Sequence, residues 1–212
     1  MDHSGQIDVA GANAREALER THGAREAALV ASRRAIRTCA TAIRAVHRRE
    51  FREARELVAE AAAYVAEMDA AVDGHPDIRY MGYVSDAKKE FAEANLTLAF
   101  VAGHAMPTAR ELGVEAPAYL NGMAEAASEL RRQVLDRLRV DDVDEAERML
   151  GLMDDVYTVL VTVDYPDAIT GGLRRTTDAL RAVLERTRGD VTNALVAAKL
   201  RAAMGDPLAP PP

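Results

Sequence analysis

Two pairs of glutamates are the residues of this sequence whose type and spacing best suit chemistry. Glu90 and Glu93 lie three residues apart, and Glu125 and Glu129 lie four apart in a later segment. On a helix, either spacing places both side chains on one face, with Cβ atoms about 5–6 Å apart. Two such helices can converge so that their carboxylates surround a divalent cation, as in metal sites inside helical bundles.

Ligand sets made only of oxygen favour the hard cations Mg²⁺ and Mn²⁺. Such an ion can activate water and stabilise the charge that develops when a phosphodiester is cleaved. The chain has 34 acidic residues, so pairs such as Glu53 and Glu56 also fall at helical spacing on solvated faces. Spacing alone leaves both interpretations open, although the apolar residues after Glu93 bring that pair close to a buried segment.

A basic segment is the second feature. Between Arg33 and Arg55 the sequence has eight arginines and His47, against only Glu50 and Glu53. Positive charge concentrated on an acidic chain suggests a polyanion site, because phosphate contacts supply most of the sequence-independent affinity for nucleic acids. A solvated helix face with Glu–Arg pairs explains the pattern equally well.

Composition indicates one helical domain. The 212 residues are 49% hydrophobic, 29% charged and only 4% aromatic, with a net charge of -7. The single Cys39 excludes an intrachain disulfide and is expected to be a small core residue. No apolar run reaches the roughly 18–20 residues of a membrane span, and no signal segment opens the chain, so a cytoplasmic protein without a membrane partner is expected.

Apolar residues recur at helical spacing through most of the chain, which predicts an all-α fold, an antiparallel bundle of six to seven helices. A flexible arm is expected at 1–10, one helical domain at 11–204, and a disordered Pro-rich tail at 205–212. The first helical stretch, 12–68, has soft spots at Gly23 and at Arg48 to Glu50. The other helices are predicted at 80–102, 118–139, 143–163 and 173–204, with Asp141 and Asp142 as caps of the fourth.

The helix at 118–139 contains YLNGMAEAASEL, 119–130, which resembles the pattern Tyr-Leu-x-Gly-x-Ala-acid-x-x-x-Glu-Leu of the translin and TRAX (translin-associated factor X) family. KEFAEA, 89–94, is similar to the TRAX sequence Gln-Glu-Tyr-Val-Glu-Ala, and HPDIRY, VDYP and LRRTTDALR occur in the expected order. The resemblance spans about Arg33 to Leu195 and is closest to prokaryotic, archaeal TRAX-like proteins. It implies a translin-like α-α superhelix.

The resemblance also implies site residues and a function. TRAX-type subunits are metal-dependent endoribonucleases whose four acids would correspond here to Glu90, Glu93, Glu125 and Glu129, although TRAX has Asp where this chain has Glu125. Translin-type subunits bind nucleic acid without cleaving it. Their basic regions map onto the following residues: Arg48, Arg49, Arg52, Arg55 and, in part, Lys88 and Lys89. The family also implies a helix break near Arg48 to Glu50.

We therefore expect an endoribonuclease that uses Mg²⁺ or Mn²⁺ to cleave single-stranded RNA, with single-stranded DNA as a related ligand. Family members form hollow octamers with these residues facing an inner chamber, so a homo-octamer is expected. One alternative is a non-catalytic, translin-type protein that binds single-stranded RNA or DNA. Another is a helical scaffold whose basic residues dock a protein partner.

Overall fold

Helices account for all regular secondary structure in residues 3–204, the residues that the computed structural model describes. The six long helices are α1 (Ser4–His47), α2 (Phe51–Val72), α4 (Gly82–Ala102), α6 (Ala116–Leu138), α7 (Val143–Leu160) and α9 (Leu173–Ala203). Three single turns join them: α3 (Pro76–Arg79), α5 (Ala109–Leu112) and α8 (Asp167–Thr170). The all-α prediction is confirmed for the described part of the chain.

The first helix starts earlier than predicted. It begins at Ser4, so residues 4–10 are helical where a flexible arm was expected, and Gly23 does not interrupt it. Residues 1 and 2 of that arm, and the predicted tail at 205–212, lie outside the described residues. Ala28 is the first buried residue, and most of the 24 helical residues that precede it are exposed.

The break between α1 and α2 falls at Arg48 to Glu50, as the family resemblance implied. Arg49 adopts the left-handed conformation, with φ of 61°. The amides of Arg49 and Glu50 then donate to the carbonyls of Val46 and Ala45, each at 2.9 Å. These bonds cap the open end of α1 and reverse the chain. The reversal divides the basic segment from Arg33 to Arg55 between two helices.

Small residues allow the helices around α4 to approach closely. Along α1 a seam of fully buried small side chains comprises Ala28, Ala31, Ala35, Cys39 and Ala42. Cys39 is thus a core residue, as predicted. α4 packs against α1, α2 and α6, and every residue from Phe91 to Val101 except Asn95 is buried. α4 is therefore the central helix, which explains why its second half is apolar on nearly every side.

α6 lies between α4 and the pair formed by α7 and α9. Asp142 caps α7 as predicted, since its side chain accepts a hydrogen bond from the amide of Glu145. The contact between α4 and α6 brings the two glutamate pairs together. Among residues 3–204 no helix is both long and apolar enough to cross a membrane.

Candidate metal centre and nucleic-acid interface

The acidic pair on α4 lies where the helix passes into the core. Glu93 is buried, with 7% of its surface exposed, and Glu90 is half-buried one turn earlier. Burying carboxylates without a partner is unfavourable, so a neighbouring cation or protonation is needed to stabilise them. The position of this pair thus differs from that of the solvated glutamates on other helix faces.

Gly122 determines how closely α6 approaches α4. A Cβ at this position would lie 2.7 Å from the Lys89 carbonyl oxygen, 2.9 Å from the Cβ of Ala92 and 2.9 Å from the amide nitrogen of Glu93. These distances are shorter than van der Waals contact, so only glycine allows this approach. One turn further along α6, Glu125 consequently reaches the pair on α4.

The side chains of Glu90, Glu93 and Glu125 meet in one cluster. One carboxylate oxygen from each lies within 4.8 Å of the other two. Three oxygens at this separation, all from carboxylates, are a suitable ligand set for a hard divalent cation with water completing the shell. Three of the four predicted acids thus lie close enough together to share an ion.

Glu129, the fourth predicted acid, has a different partner. Its Oε2 atom lies 2.6 Å from Nε2 of His47, the last residue of α1. The side-chain amide of Gln133 donates to Nδ1 of His47 at 3.2 Å, which leaves the proton of a neutral ring on Nε2, directed at Glu129. Glu129 is therefore held beside the cluster by the end of α1.

The electrostatics of the cluster favour a bound cation. Burial, together with the charges of Glu125, Glu90 and Glu129, raises the pKa of Glu93 to about 9. The pKa of Glu90 is also raised, because the effect of burial exceeds the opposing effect of the neighbouring Lys89. In the metal-free protein Glu93 is thus protonated at neutral pH, and a divalent cation would favour the ionised form.

Lys89 lies within this acidic cluster. Its Nζ atom is 2.9 Å from both Oε1 and Oε2 of Glu125 and 3.4 Å from Oε1 of Glu90. Burial lowers the pKa of Lys89, but the hydrogen bonds and charges of Glu125 and Glu90 together outweigh it, so the net shift of the pKa is upward. Its ammonium therefore neutralises part of the negative charge that a metal ion would otherwise neutralise.

Lys88, the neighbour of Lys89, is held in ion pairs inside the fold. It is buried, and its Nζ lies 3.0 Å from Asp69 on α2 and 2.9 Å from Glu115 at the start of α6. A phosphate could reach this ammonium only by breaking both ion pairs. In this structure Lys88 joins α4 to α2 and α6, and its expected contact with nucleic acid stays a prediction.

The predicted arginines surround the reversal between α1 and α2. Arg48 pairs with Glu50 and lies 3.6 Å from Glu53, and the guanidinium of Arg49 lies 5.5 Å from the ring centroid of Phe51. Arg52 and Arg55, on the first turns of α2, are exposed and have no hydrogen bond or ion pair within residues 3–204. His47 connects this basic turn to the acidic cluster through Glu129.

Comparisons with known proteins show which family this chain resembles in sequence and fold. The uncharacterized protein MJ0175 of Methanocaldococcus jannaschii is 31% identical over 179 residues, which cover 84% of this chain and 79% of that protein. The structure of Archaeoglobus AfC3PO in complex with duplex RNA is 32% identical, covers 87% of this chain and 96% of that one, and has a TM-score of 0.81. AfC3PO is of the translin/TRAX type. This chain belongs to the translin/TRAX family.

Two further comparisons complete this result. A separate crystal structure of AfC3PO superposes with a TM-score of 0.79 at the same 32% identity. Apo-NeC3PO, at 17% identity and a TM-score of 0.77, shares the fold. The sequence matches no protein-family model.

The structure gives physical reasons for two features of the translin/TRAX motif. The glycine of Tyr-Leu-x-Gly is Gly122, at the contact between α4 and α6. Glu125, which stands where TRAX has Asp, still reaches the cluster with its longer side chain. Lys89 stands where the TRAX sequence has Gln, and this difference places an ammonium among the acids.

Sequence reasoning did not identify His47 and Gln133 as neighbours of the site. His47 is 82 residues from Glu129 in the chain, and only the close packing of α1 against the rest of the bundle brings them together. The available signal was Gln133 itself, a polar residue four positions after Glu129 that is 1% exposed. A buried amide of this kind requires a hydrogen-bonding partner.

Proposed function

We propose that this chain is a metal-dependent endoribonuclease that cleaves single-stranded RNA. The observation that carries the proposal is the cluster of carboxylate oxygens from Glu90, Glu93 and Glu125, each within 4.8 Å of the others. These residues would hold Mg²⁺ or Mn²⁺, with Glu129 kept beside them by His47. The bound ion would supply Lewis-acid chemistry, activating water and stabilising charge on the phosphate.

The basic residues would hold the backbone of the RNA. Arg52 and Arg55 are exposed and free of ion pairs within residues 3–204, so their guanidinium groups can bind phosphate without losing a partner in the chain. Arg48 and Arg49 directly follow His47, which contacts Glu129. A strand lying along this turn would therefore reach the acids, where Lys89 would offer a further cation.

RNA as the ligand is supported by the AfC3PO relative, which has been solved in complex with duplex RNA. Cleavage of single strands is our proposal for this chain, and duplex RNA is included as a separate arm of the test. A cytoplasmic location and assembly into a homo-octamer are proposed on the same family grounds.

Cleavage of a fluorescently labelled single-stranded RNA tests the function. Wild-type protein with Mg²⁺ should give short products, and a chelator should abolish them. Glu93→Ala should lower the rate by about 10²-fold or more, since it removes a ligand at the reacting centre. The control Glu56→Ala removes an exposed carboxylate of α2 and should retain the wild-type rate.

Two results would reject the proposal. Equal cleavage by wild type and Glu93→Ala would exclude the acidic cluster as the active site. Binding of RNA that is insensitive to chelator, with no product after long incubation, would identify a non-catalytic translin-type protein. Faster cleavage of a duplex than of a single strand would correct the substrate while retaining the site.

A further inference from the structure

A cavity of about 490 Å³ adjoins the acidic cluster. Lys89 and Glu125 form part of its wall, so the cavity and the cluster share two residues. The rest of the wall comes from the end of α3, the first turns of α4 and α6, α8 and the start of α9. Its size is within the range of about 300–1,000 Å³ that is typical of small-molecule pockets.

The wall of this cavity is fixed by a buried amide. The Nδ2 atom of Asn121 on α6 donates to the carbonyl oxygens of Thr170 and Pro117, each at 2.9 Å. Its Oδ1 atom accepts a hydrogen bond of 2.7 Å from the hydroxyl of Thr176 on α9. Asn121 is 5% exposed, and these bonds join α6, α8 and α9. The cavity is therefore a preformed feature of the fold.

The lining offers the groups that recognise a nucleotide. Arg175 is exposed and its guanidinium has no hydrogen bond or ion pair within the described chain, and the guanidinium of Arg79 has only Asp73 at 3.6 Å. The ring of Tyr80 is 73% exposed and the side chain of Ile169 is 61% exposed, which provides apolar surface for a base. Arginine binds phosphate in a bidentate manner, and base stacking on an aromatic ring tolerates any base.

Asp86 completes the lining. It is exposed and, within residues 3–204, has no hydrogen bond or ion pair. A carboxylate can accept hydrogen bonds from ribose hydroxyls or from the amino group of a base. Glu115 and Glu125 also line the cavity, but each is paired with a lysine. The two arginines, the apolar surface and the unpaired carboxylate of Asp86 together match a nucleoside phosphate better than an anion alone or an apolar ligand.

We propose that this cavity binds one nucleotide of the RNA strand, next to the phosphodiester that the acidic cluster cleaves. The inference rests on the proposed function. Arg175 and Arg79 bind the phosphate of that nucleotide, and its base lies against Tyr80 and Ile169. Because Lys89 and Glu125 border both sites, a nucleotide held here directs the adjoining phosphate to the carboxylates.

Steady-state cleavage of single-stranded RNA by two neighbouring variants tests this role. Arg175→Ala should raise KM about five- to tenfold with little change in kcat, because it removes a charge-assisted contact to phosphate. The matched control is Arg174→Ala, which removes an adjacent exposed arginine that lies 3.4 Å from Asp164 and does not line the cavity. Its KM should match wild type. Cleavage by wild type with equal KM for both variants would overturn the inference and retain the proposed function.

A binding measurement tests whether the cavity binds a nucleotide, even if the protein does not cleave RNA. The sequence has five isoleucines, so spectra of Ile δ1-methyl-labelled protein are simple, and Ile169 reports on the cavity. Millimolar uridine 5′-monophosphate should shift the Ile169 methyl signal in wild type and Arg174→Ala but much less in Arg175→Ala. Uridine without phosphate should shift it less. No Ile169 shift, or a shift of equal size in Arg175→Ala, would overturn the inference.

Discussion

At the scale of the residue, Glu93 has an unfavourable position for a charged side chain. It is buried on the central helix with three other glutamates nearby, and its pKa is raised to about 9. A divalent cation would favour its ionised form, so cation binding would be accompanied by proton release. Substitution of Glu93 should therefore change both the protonation of the cluster and its affinity for a cation.

The pKa of Glu93 predicts how the stability of the metal-free protein depends on pH. The native value of about 9 lies above the ordinary value of 4.5, so the native state binds more protons than the unfolded state between these limits. The contribution of Glu93 to the free energy of unfolding is fully present below pH 4.5 and is lost as pH rises towards 9. In chelator, the urea midpoint should fall over this window.

Glu93→Gln should flatten the dependence of the urea midpoint on pH. Glu56→Gln, which changes an exposed side chain of α2, should leave it unchanged. Urea unfolding followed by circular dichroism at several pH values provides the measurement. A wild-type midpoint that rises steadily from pH 5 to 9, with the same slope in Glu93→Gln, would show that Glu93 is ionised in the metal-free protein.

Lys89 predicts a change in cation affinity. Its ammonium contacts both oxygens of Glu125, and a divalent cation at the cluster must compete with it. Lys89→Gln removes this competitor and should tighten Mn²⁺ binding by up to about fivefold, since partly exposed ion pairs contribute up to about 1 kcal/mol. Isothermal titration with Mn²⁺ measures the change in affinity. Lys199→Gln, which changes an exposed side chain of α9, is the control. Weaker binding by Lys89→Gln would show that Lys89 supports the site rather than competing for it.

At the scale of the element, the packing of α6 against α4 positions the site. Gly122→Ala would place a Cβ 2.7 Å from the backbone oxygen of Lys89, so the two helices must separate. We expect a loss of about 1–3 kcal/mol in the free energy of unfolding, the usual range for overpacking, together with loss of Mn²⁺ binding.

The control for this prediction is Gly151→Ala on α7, where an added Cβ meets no atom within 4 Å. That substitution should stabilise the protein by up to about 1 kcal/mol, because alanine favours the helix over glycine. Chemical denaturation and Mn²⁺ titration of both variants separate the two effects. Normal Mn²⁺ binding by a destabilised Gly122→Ala protein would show that helix spacing does not position the acids.

The elements themselves could largely be predicted from sequence, because apolar periodicity and the Gly and Pro positions mark most helix boundaries. The helical spacing and the family motifs together predicted that Glu90, Glu93 and Glu125 would lie close to one another. The roles of Lys88 and Glu129 could not be predicted, since they depend on side chains brought from α1 and α2, such as His47 and Asp69. Sequence marks these residues as polar but does not indicate which partner each one meets.

At the scale of the whole molecule, the start of α1 suggests self-association. About 36 Å of helix precedes the first buried residue, Ala28, and most helices in proteins are stabilised chiefly by packing of an apolar face. Ile7, Gly11, Ala14 and Leu18 follow one another at helical spacing, and Ile7 and Leu18 are 67% and 70% exposed. This apolar stripe is suited to packing against another copy of the chain.

A homo-octamer predicts a light-scattering mass about eight times the 22.9 kDa of one chain. Leu18→Glu should shift the population to smaller species, because it places charge in the apolar stripe. The neighbouring Glu19→Gln, outside the stripe, should leave the mass unchanged. Size-exclusion chromatography with light scattering distinguishes these results, and an unchanged mass for Leu18→Glu would exclude this face of α1 as an interface.

The central claim is that Glu90, Glu93 and Glu125 form a divalent-cation site, and an anomalous difference map from crystals grown with Mn²⁺ tests it most directly. We predict one peak between the three carboxylates, with the ammonium of Lys89 displaced from Glu125. A map without a peak there at saturating Mn²⁺, with Lys89 still bound to Glu125, would contradict the claim.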